Sequence, residues 1–324
     1  TVTAVNGSGT FTVGGSGYTI PAAGSCTATF TVTAPTAGIY VNTIPAGNLS
    51  SSTGSNTSPA TASLTVGSGL LPPTMTKSFA APKTILAGGT SILTFTLTNP
   101  NATAIGSAGF IDTLPAELVI TTPAASTTCG GTLTAATGTG YISLNTNGTI
   151  PASGSCTVTV NVTSTTPGIY NNTSGQVVGD TGTGNRASDT LVVMAPLVIA
   201  KSFATNPVAI GTATVLTITL TNPNPVAVTG AAFTDTYPSG LVNTASASPA
   251  TTCGGTPTIT AANGGSSLAV GGSGASVPAN SSCTVTVNVQ SAASGSYANS
   301  SGAVTTDNAG SSAAATAVLN VLAP

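Results

Sequence analysis

One cysteine-led segment occurs three times in this chain, and that recurrence constrains the fold more than any other feature. Residues 20–32 read IPAAGSCTATFTV, residues 150–162 read IPASGSCTVTVNV and residues 277–289 read VPANSSCTVTVNV. In the second copy Val158, Val160 and Val162 fall on one side, and Thr157, Thr159 and Asn161 on the other. A two-residue period of this kind is that of a half-buried β-strand. The outward threonines keep β-propensity high without adding apolar surface.

The recurrence extends well beyond this segment. TKSFAAP at Thr76 matches AKSFATNP at Ala200, and LTFTLTNPN at Leu93 matches LTITLTNPN at Leu216. FIDTLP at Phe110 matches FTDTYP at Phe233, and TTCGGT occurs at both Thr127 and Thr251. PGIYNNTSG at Pro167 matches SGSYANSSG at Ser294. The period is about 124 residues, the size of one β-sandwich domain. Two complete copies are expected over 70–194 and 195–324. Residues 1–69 correspond to the second half of a copy. The half-copy reads as part of a longer array; the alternative is completion by strand addition from a neighbouring molecule. Gly, Pro, Asn and Ser clusters punctuate the apolar runs, and no segment has a helical period. The expected fold is all-β: tandem immunoglobulin-like antiparallel β-sandwiches. Proline-containing links, GSGLLPP and MAPL, stiffen the joints.

Composition narrows the function. Only 3% of residues are charged, against about a quarter in an average domain. The net charge is −2, so no basic surface is available for nucleic acid. No apolar run is long enough to cross a membrane as a helix, and no membrane insertion is expected in this segment. Thr, Ser, Asn and Gly replace charge at the surface, which suits a secreted, fibrous or glycosylated protein. With 40% hydrophobic residues in ordered alternation, the chain is not of the disordered type. There is no histidine, so none of the many serines has an imidazole to activate it. The first complete copy holds Asp112, Glu117, Asp180 and Asp189, whereas the second holds only Asp235 and Asp307. A repeated unit should not lose its catalyst, which speaks against a carboxylate-pair glycosidase. Few aromatic residues and no Trp speak against a sugar-stacking platform. CGG and GGS stretches are loops without the Lys and helix of a phosphate cradle. No catalytic group acting on a separate substrate, no cofactor and no metal is expected. Calcium at Asp180 and Asp307 is the alternative at the one acid-and-glycine loop, against a solvated turn.

The five cysteines fit the repeat. Each complete copy has two, giving the expected disulfides Cys129–Cys156 and Cys253–Cys283 and an oxidising compartment. Cys26 takes the position of Cys156 and Cys283, and its partner would lie in the missing half. It is expected to be unpaired or to pair with another chain. Two cysteines per copy without histidine make a poor zinc site. Asn-x-Ser/Thr sequons, including Asn101, Asn147, Asn161 and Asn172, are common in so Asn- and Thr-rich a chain. Glycans are an expected decoration, O-linked on Ser and Thr if the source is bacterial.

The motif string KSF, LTNPN, D-T-x-P, CGGT, GSCTVTVNV and G-x-Y-x-N resembles the immunoglobulin-like conserved-repeat domains of unknown function found in bacterial surface proteins. The resemblance spans both complete copies and the half-copy. It implies an extracellular or cell-surface array without enzymatic activity. Two readings follow: a structural fibre, filament or surface-layer component whose partners are its own neighbouring repeats, or the stalk of an adhesin whose binding module lies outside this segment. A hydrolase or glycan-binding module is the third.

Rare charges mark a second resemblance. Of three lysines, Lys77 and Lys201 share the KSF position, and Asp112 and Asp235 share the D-T-x-P position. Asn42, Asn172 and Asn299 each follow a tyrosine by two residues, with Asn171 as an adjacent competitor. This order is similar to that of the self-crosslinking immunoglobulin-like domains of bacterial pilins and adhesins. The resemblance implies isopeptide bonds Lys77–Asn172 and Lys201–Asn299, with Asp112 and Asp235 moving protons. A lysine buried in apolar surroundings loses its charge more readily and becomes nucleophilic. The plainer alternatives are a surface or partly buried Lys–Asp ion pair and an aspartate that shapes the turn before Pro115.

Overall fold

A computed structural model describes residues 2–15, 18–67 and 69–324, with the backbone alone at Val2, Ala124, Gly272 and Ser273. Ser68, within the first proline-containing link, lies outside the described residues. The chain forms two compact units, Thr1–Leu70 and Leu71–Pro324.

The first unit holds β1 (Gly38–Ile44) and β2 (Ala60–Val66), paired antiparallel with Tyr40 opposite Leu64. A short hairpin pairs Val2–Ala4 with Phe11–Val13.

The second unit contains two hydrophobic cores. The first core is built from β3 (Thr74–Phe79), β4 (Thr84–Leu86), β5 (Thr90–Thr98), β6 (Ile105–Thr113), β7 (Val119–Thr127), β8 (Tyr141–Ile150), β9 (Ser155–Thr163), β10 (Gly168–Thr173) and β11 (Ser188–Met194). One sheet has the order β7–β9–β5–β3. Opposite it lie the pair β6 and β8 and the group β10–β11–β4. The alternation works as expected: Leu93, Phe95 and Leu97 of β5 and Cys156, Val158, Val160 and Val162 of β9 are all buried. Their register places Val158 opposite Phe95 and Val160 opposite Leu93. Across the sandwich, the Phe95 and Phe110 rings meet at 4.6 Å. Each such buried side chain contributes about 1.5–3 kcal/mol relative to exposure.

The second core repeats this plan with β12 (Val198–Phe203), β13 (Val208–Ala209), β14 (Thr214–Asn222), β15 (Val228–Thr236), β16 (Gly254–Thr260), β17 (Ser267–Val277), β18 (Ser281–Ser291), β19 (Gly295–Ser300) and β20 (Thr316–Leu322). β12, β14 and β18 share one sheet; β15–β17–β16 and β13–β20–β19 form the others. Ile218 faces Val285 as Phe95 faces Val158. The fold is thus all-β, in tandem immunoglobulin-like sandwiches. One detail departs from purely antiparallel pairing. β4 runs parallel to β11 and β13 parallel to β20, so an early strand of each sandwich crosses to the last strand. Among the described residues, no helix is long and apolar enough to cross a membrane.

Candidate functional site

In each sandwich a lysine occupies an inward slot of an alternating strand. β3 turns Met75, Lys77 and Phe79 to the core and Thr74, Thr76 and Ser78 to solvent. The same parity places Asp112 inward on β6 and Tyr170 and Asn172 inward on β10. The three polar side chains meet between the sheets. Lys77 Nζ donates to Asp112 Oδ1 at 2.8 Å, and both side chains are closed to solvent. Asn172 Nδ2 donates to Asp112 Oδ2 at 2.8 Å. Lys77 Nζ also lies 5.1 Å from the Phe95 ring centroid. One carboxylate therefore holds the amine on one oxygen and the amide on the other. Asn172 Oδ1 is buried without a hydrogen-bond partner.

The second sandwich repeats the arrangement. Lys201 Nζ donates to Asp235 Oδ1 at 2.7 Å, and Asn299 Nδ2 to Asp235 Oδ2 at 3.2 Å. Asn299 Oδ1 is likewise unpartnered. Ile218 stands where the first copy has Phe95. Tyr237, where the first copy has Leu114, is a buried phenol donating to Asn243 Oδ1 at 2.9 Å. Burial, and secondarily the Asp235 carboxylate, push its pKa up.

Burial pulls the pKa of Lys77 and Lys201 below that of an ordinary lysine; the paired aspartates pull the other way and do not fully offset it. The hydrogen bond to aspartate gives the ammonium proton a place to go. Once the proton has moved, the site holds a neutral amine beside a carboxamide, and a carboxylic acid able to protonate departing ammonia. Nζ would bond to Cγ of the asparagine as the Cγ–Nδ2 bond breaks. An ammonium and a primary amide become a secondary amide and an ammonium ion, with aspartate regenerated. The site thus holds the amine and the amide on the two oxygens of one carboxylate, with the Lys and Asp side chains closed to solvent.

All six residues singled out from the rare-charge pattern come together as two triads. A surface ion pair is excluded, because both Lys–Asp pairs are closed to solvent; what the structure holds at each site is a buried Lys–Asp ion pair. Asn171, the competing asparagine, points outward and accepts from Thr190 Oγ1. Asn42 belongs to the first unit, where it is exposed. The disulfides Cys129–Cys156 and Cys253–Cys283 are present, with Cα–Cα distances of 5.0 and 4.8 Å, and Cys26 is free and exposed.

Of the four sequons named above, two are buried. Asn101 and Asn172 spend their side-chain amides inside the protein, so neither can receive a glycan once folded. Asn161 Nδ2 donates to the Pro123 carbonyl and Asn147 is exposed. For calcium, Asp180 Oδ2 accepts from the Gly106 amide, and no group of three or more metal-binding side chains occurs among the described residues.

Two devices escaped sequence reasoning. In the N-P-N motif, Asn99 Nδ2 donates to the carbonyls of Thr103, Ile150 and Pro151, while its Oδ1 accepts from Asn101. Asn101 then holds the backbone of Leu71, accepting from its amide and donating to its carbonyl, both at 2.8 Å. Asn224 holds Ala195 in the same way at 2.6 and 2.9 Å. The second device is a tyrosine corner. Tyr170 donates to the Thr166 carbonyl at 2.8 Å, as Tyr40 does to Thr36 and Tyr297 to Ala293. In the complete repeats it anchors the strand two residues ahead of the triad asparagine. The signal for both was recurrence, of N-P-N in the two complete copies and of the tyrosine in all three.

Fold and site together define a class: tandem immunoglobulin-like, disulfide-stapled repeats that carry a buried Lys–Asp–Asn triad. The chain belongs to a family described as a domain of unknown function, DUF7933, whose profile matches residues 1–66, 73–193 and 197–321. No curated protein matches it. Among solved structures it is similar to the C-terminal domain of the Streptococcus agalactiae antigen I/II polypeptide BspA, with 12% identity, TM-score 0.43, 76% of this chain and 99% of that one. It is also similar to the C-terminal domain of the Streptococcus pyogenes antigen I/II-family protein AspA, with 11% identity, TM-score 0.40, and 78% and 100% coverage. Red sea bream transglutaminase overlaps at 10% identity and TM-score 0.29, over 78% of this chain but 32% of the enzyme. At these scores the likenesses do not bear on ligand or reaction.

Proposed function

We propose that the chain is a non-enzymatic extracellular structural protein, a segment of a repeat array that forms a fibre, filament or surface layer. Its repeats, 1–69, 70–194 and 195–324, are each a mechanical unit. In the two complete ones, a Lys77–Asn172 or Lys201–Asn299 isopeptide ties an early strand to a late one. The observation that carries this reading is the triad itself, built twice with the same partners on the same carboxylate oxygens. An aspartate whose two oxygens bridge an amine and an amide has no part to play on an outside substrate when both ends are closed to solvent. Disulfides in both repeats support an oxidising location. The charge-poor surface supports close side-by-side or end-to-end association, because little Coulomb repulsion opposes it.

Electron microscopy of the purified chain over a concentration series tests the array reading. Ordered filaments or sheets are expected. Isolated rods at every concentration would instead favour an adhesin stalk that only extends a binding module.

A further inference from the structure

The two triads share their partners but not their surroundings. Lys77 Nζ lies over the Phe95 ring, 5.1 Å from its centroid, whereas the second repeat has Ile218 at that position. Among the described residues no ring faces Lys201 in this way. Tyr237, the aromatic residue that the second repeat has near its triad, donates its hydroxyl to Asn243 Oδ1.

A second acid also stands beside the first triad. Asp189 on β11 pairs with Asn172 on β10, where the second repeat pairs Ala317 with Asn299. The Asp189 side chain is only 14% exposed. Its Oδ2 accepts from the amide of Phe79, two residues beyond Lys77, at 2.7 Å, and its Oδ1 accepts from Lys83 Nζ at 2.8 Å. Burial pushes the Asp189 pKa up, but its hydrogen bonds more than offset this and hold it below the usual aspartate value. The ionised carboxylate adds to Asp112 in favouring the charged form of Lys77.

Both differences act on one step. A lysine must pass its proton to the paired aspartate before Nζ can bond to the asparagine Cγ and ammonia can leave. Burial opposes the ammonium at both sites alike, because both lysine side chains are 0% exposed. A ring face and an added carboxylate favour the ammonium at the first site alone. The proton moves within each Lys–Asp pair, so the difference holds across neutral pH.

We infer that Phe95 and Asp189 restrain the first triad by stabilising the Lys77 ammonium, so that the second repeat crosslinks before the first. This order rests on the crosslink reading above. Between the two events the segment holds one locked and one unlocked repeat.

The test follows both bonds in the full chain, kept linear in denaturant and refolded by dilution with its disulfides intact, by quantifying branched peptides over time. Lys201–Asn299 is expected to form about tenfold faster than Lys77–Asn172. Phe95→Leu and Asp189→Asn should each speed the first bond, and Phe95→Tyr, which keeps the ring, should not. Ile218→Phe should slow the second bond. In an Asn172→Ala, Asn299→Ala variant, which cannot crosslink, NMR titration of the two amines should place Lys77 above Lys201. Equal rates, or a first bond that leads, overturn the inference. So does a first bond whose rate neither Phe95→Leu nor Asp189→Asn changes. If neither bond forms, the crosslink reading falls and the order with it. Amines that still titrate with Lys77 above Lys201 then support the restraint on Lys77 by itself, and the reverse sequence overturns that as well.

Discussion

The Lys77 amine and the Asp112 carboxylate meet at 2.8 Å with neither side chain open to solvent. Taking two charges out of water is costly, and the pair is tolerated because each satisfies the other. Asp112→Ala removes the partner and the proton carrier together. The variant should retain the unmodified Lys77 and Asn172 in peptide mapping, while the Lys201–Asn299 bond still forms. It should also lose about 3–5 kcal/mol in the stability of the first sandwich, the cost of a buried unpaired charge. Denaturant unfolding with a probe in each sandwich checks the second point.

The two lysines give a pH signature that exists only without the crosslink. In an Asn172→Ala, Asn299→Ala double variant both amines stay titratable. Their folded pKa values lie below 10.5, chiefly through burial. Between the depressed value and 10.5 the unfolded chain holds more protons than the folded one, so stability rises with pH across that window. Below it both states are protonated and the slope vanishes. Unfolding midpoints measured from pH 7 to 10 should rise in the variant. The parent, whose lysines would be amides, should show no such rise.

Disulfide closure should stabilise each complete sandwich independently. The bridges span 27 and 30 residues, for which the chain-entropy argument gives roughly 3–4 kcal/mol each. Cys253→Ser with Cys283→Ser should lower the second sandwich by that amount and leave the first unchanged, as read by hydrogen exchange of β14 against β5.

Asn224 is fully buried and serves both backbone groups of Ala195. Asn224→Ala would strand them, at about 1–3 kcal/mol for each group left without a partner. The Ala195 amide should lose its exchange protection, and Leu71 should do the same in Asn101→Ala.

Much of this was legible before any coordinates, for identifiable reasons. A period of two in LTFTLT and CTVTVNV can bury only one side, so the core faces of β5 and β9 could be read directly. Charges were so scarce that a lysine and an aspartate recurring at fixed positions stood out. Asn172 was singled out over Asn171 by its place two residues after a tyrosine, and the alternation of β10 turns Asn172 inward and Asn171 outward. The parallel pairing of β4 on β11 rests on three residues, Thr84–Leu86, too few for a pattern. The role of Asn99 and Asn101 was hidden because N-P-N reads as a solvated turn, and only the approach of the Leu71 segment makes it a buried clamp.

The central claim is that the triads in the two complete repeats react. Intact mass of the reduced, purified chain, followed by mapping of the Lys77–Asn172 and Lys201–Asn299 peptides, tests it most directly. Two ammonia losses, about 34 Da in all, with branched peptides at both sites, are the expected result. The full mass of the linear sequence, with free lysines at 77 and 201, would contradict it.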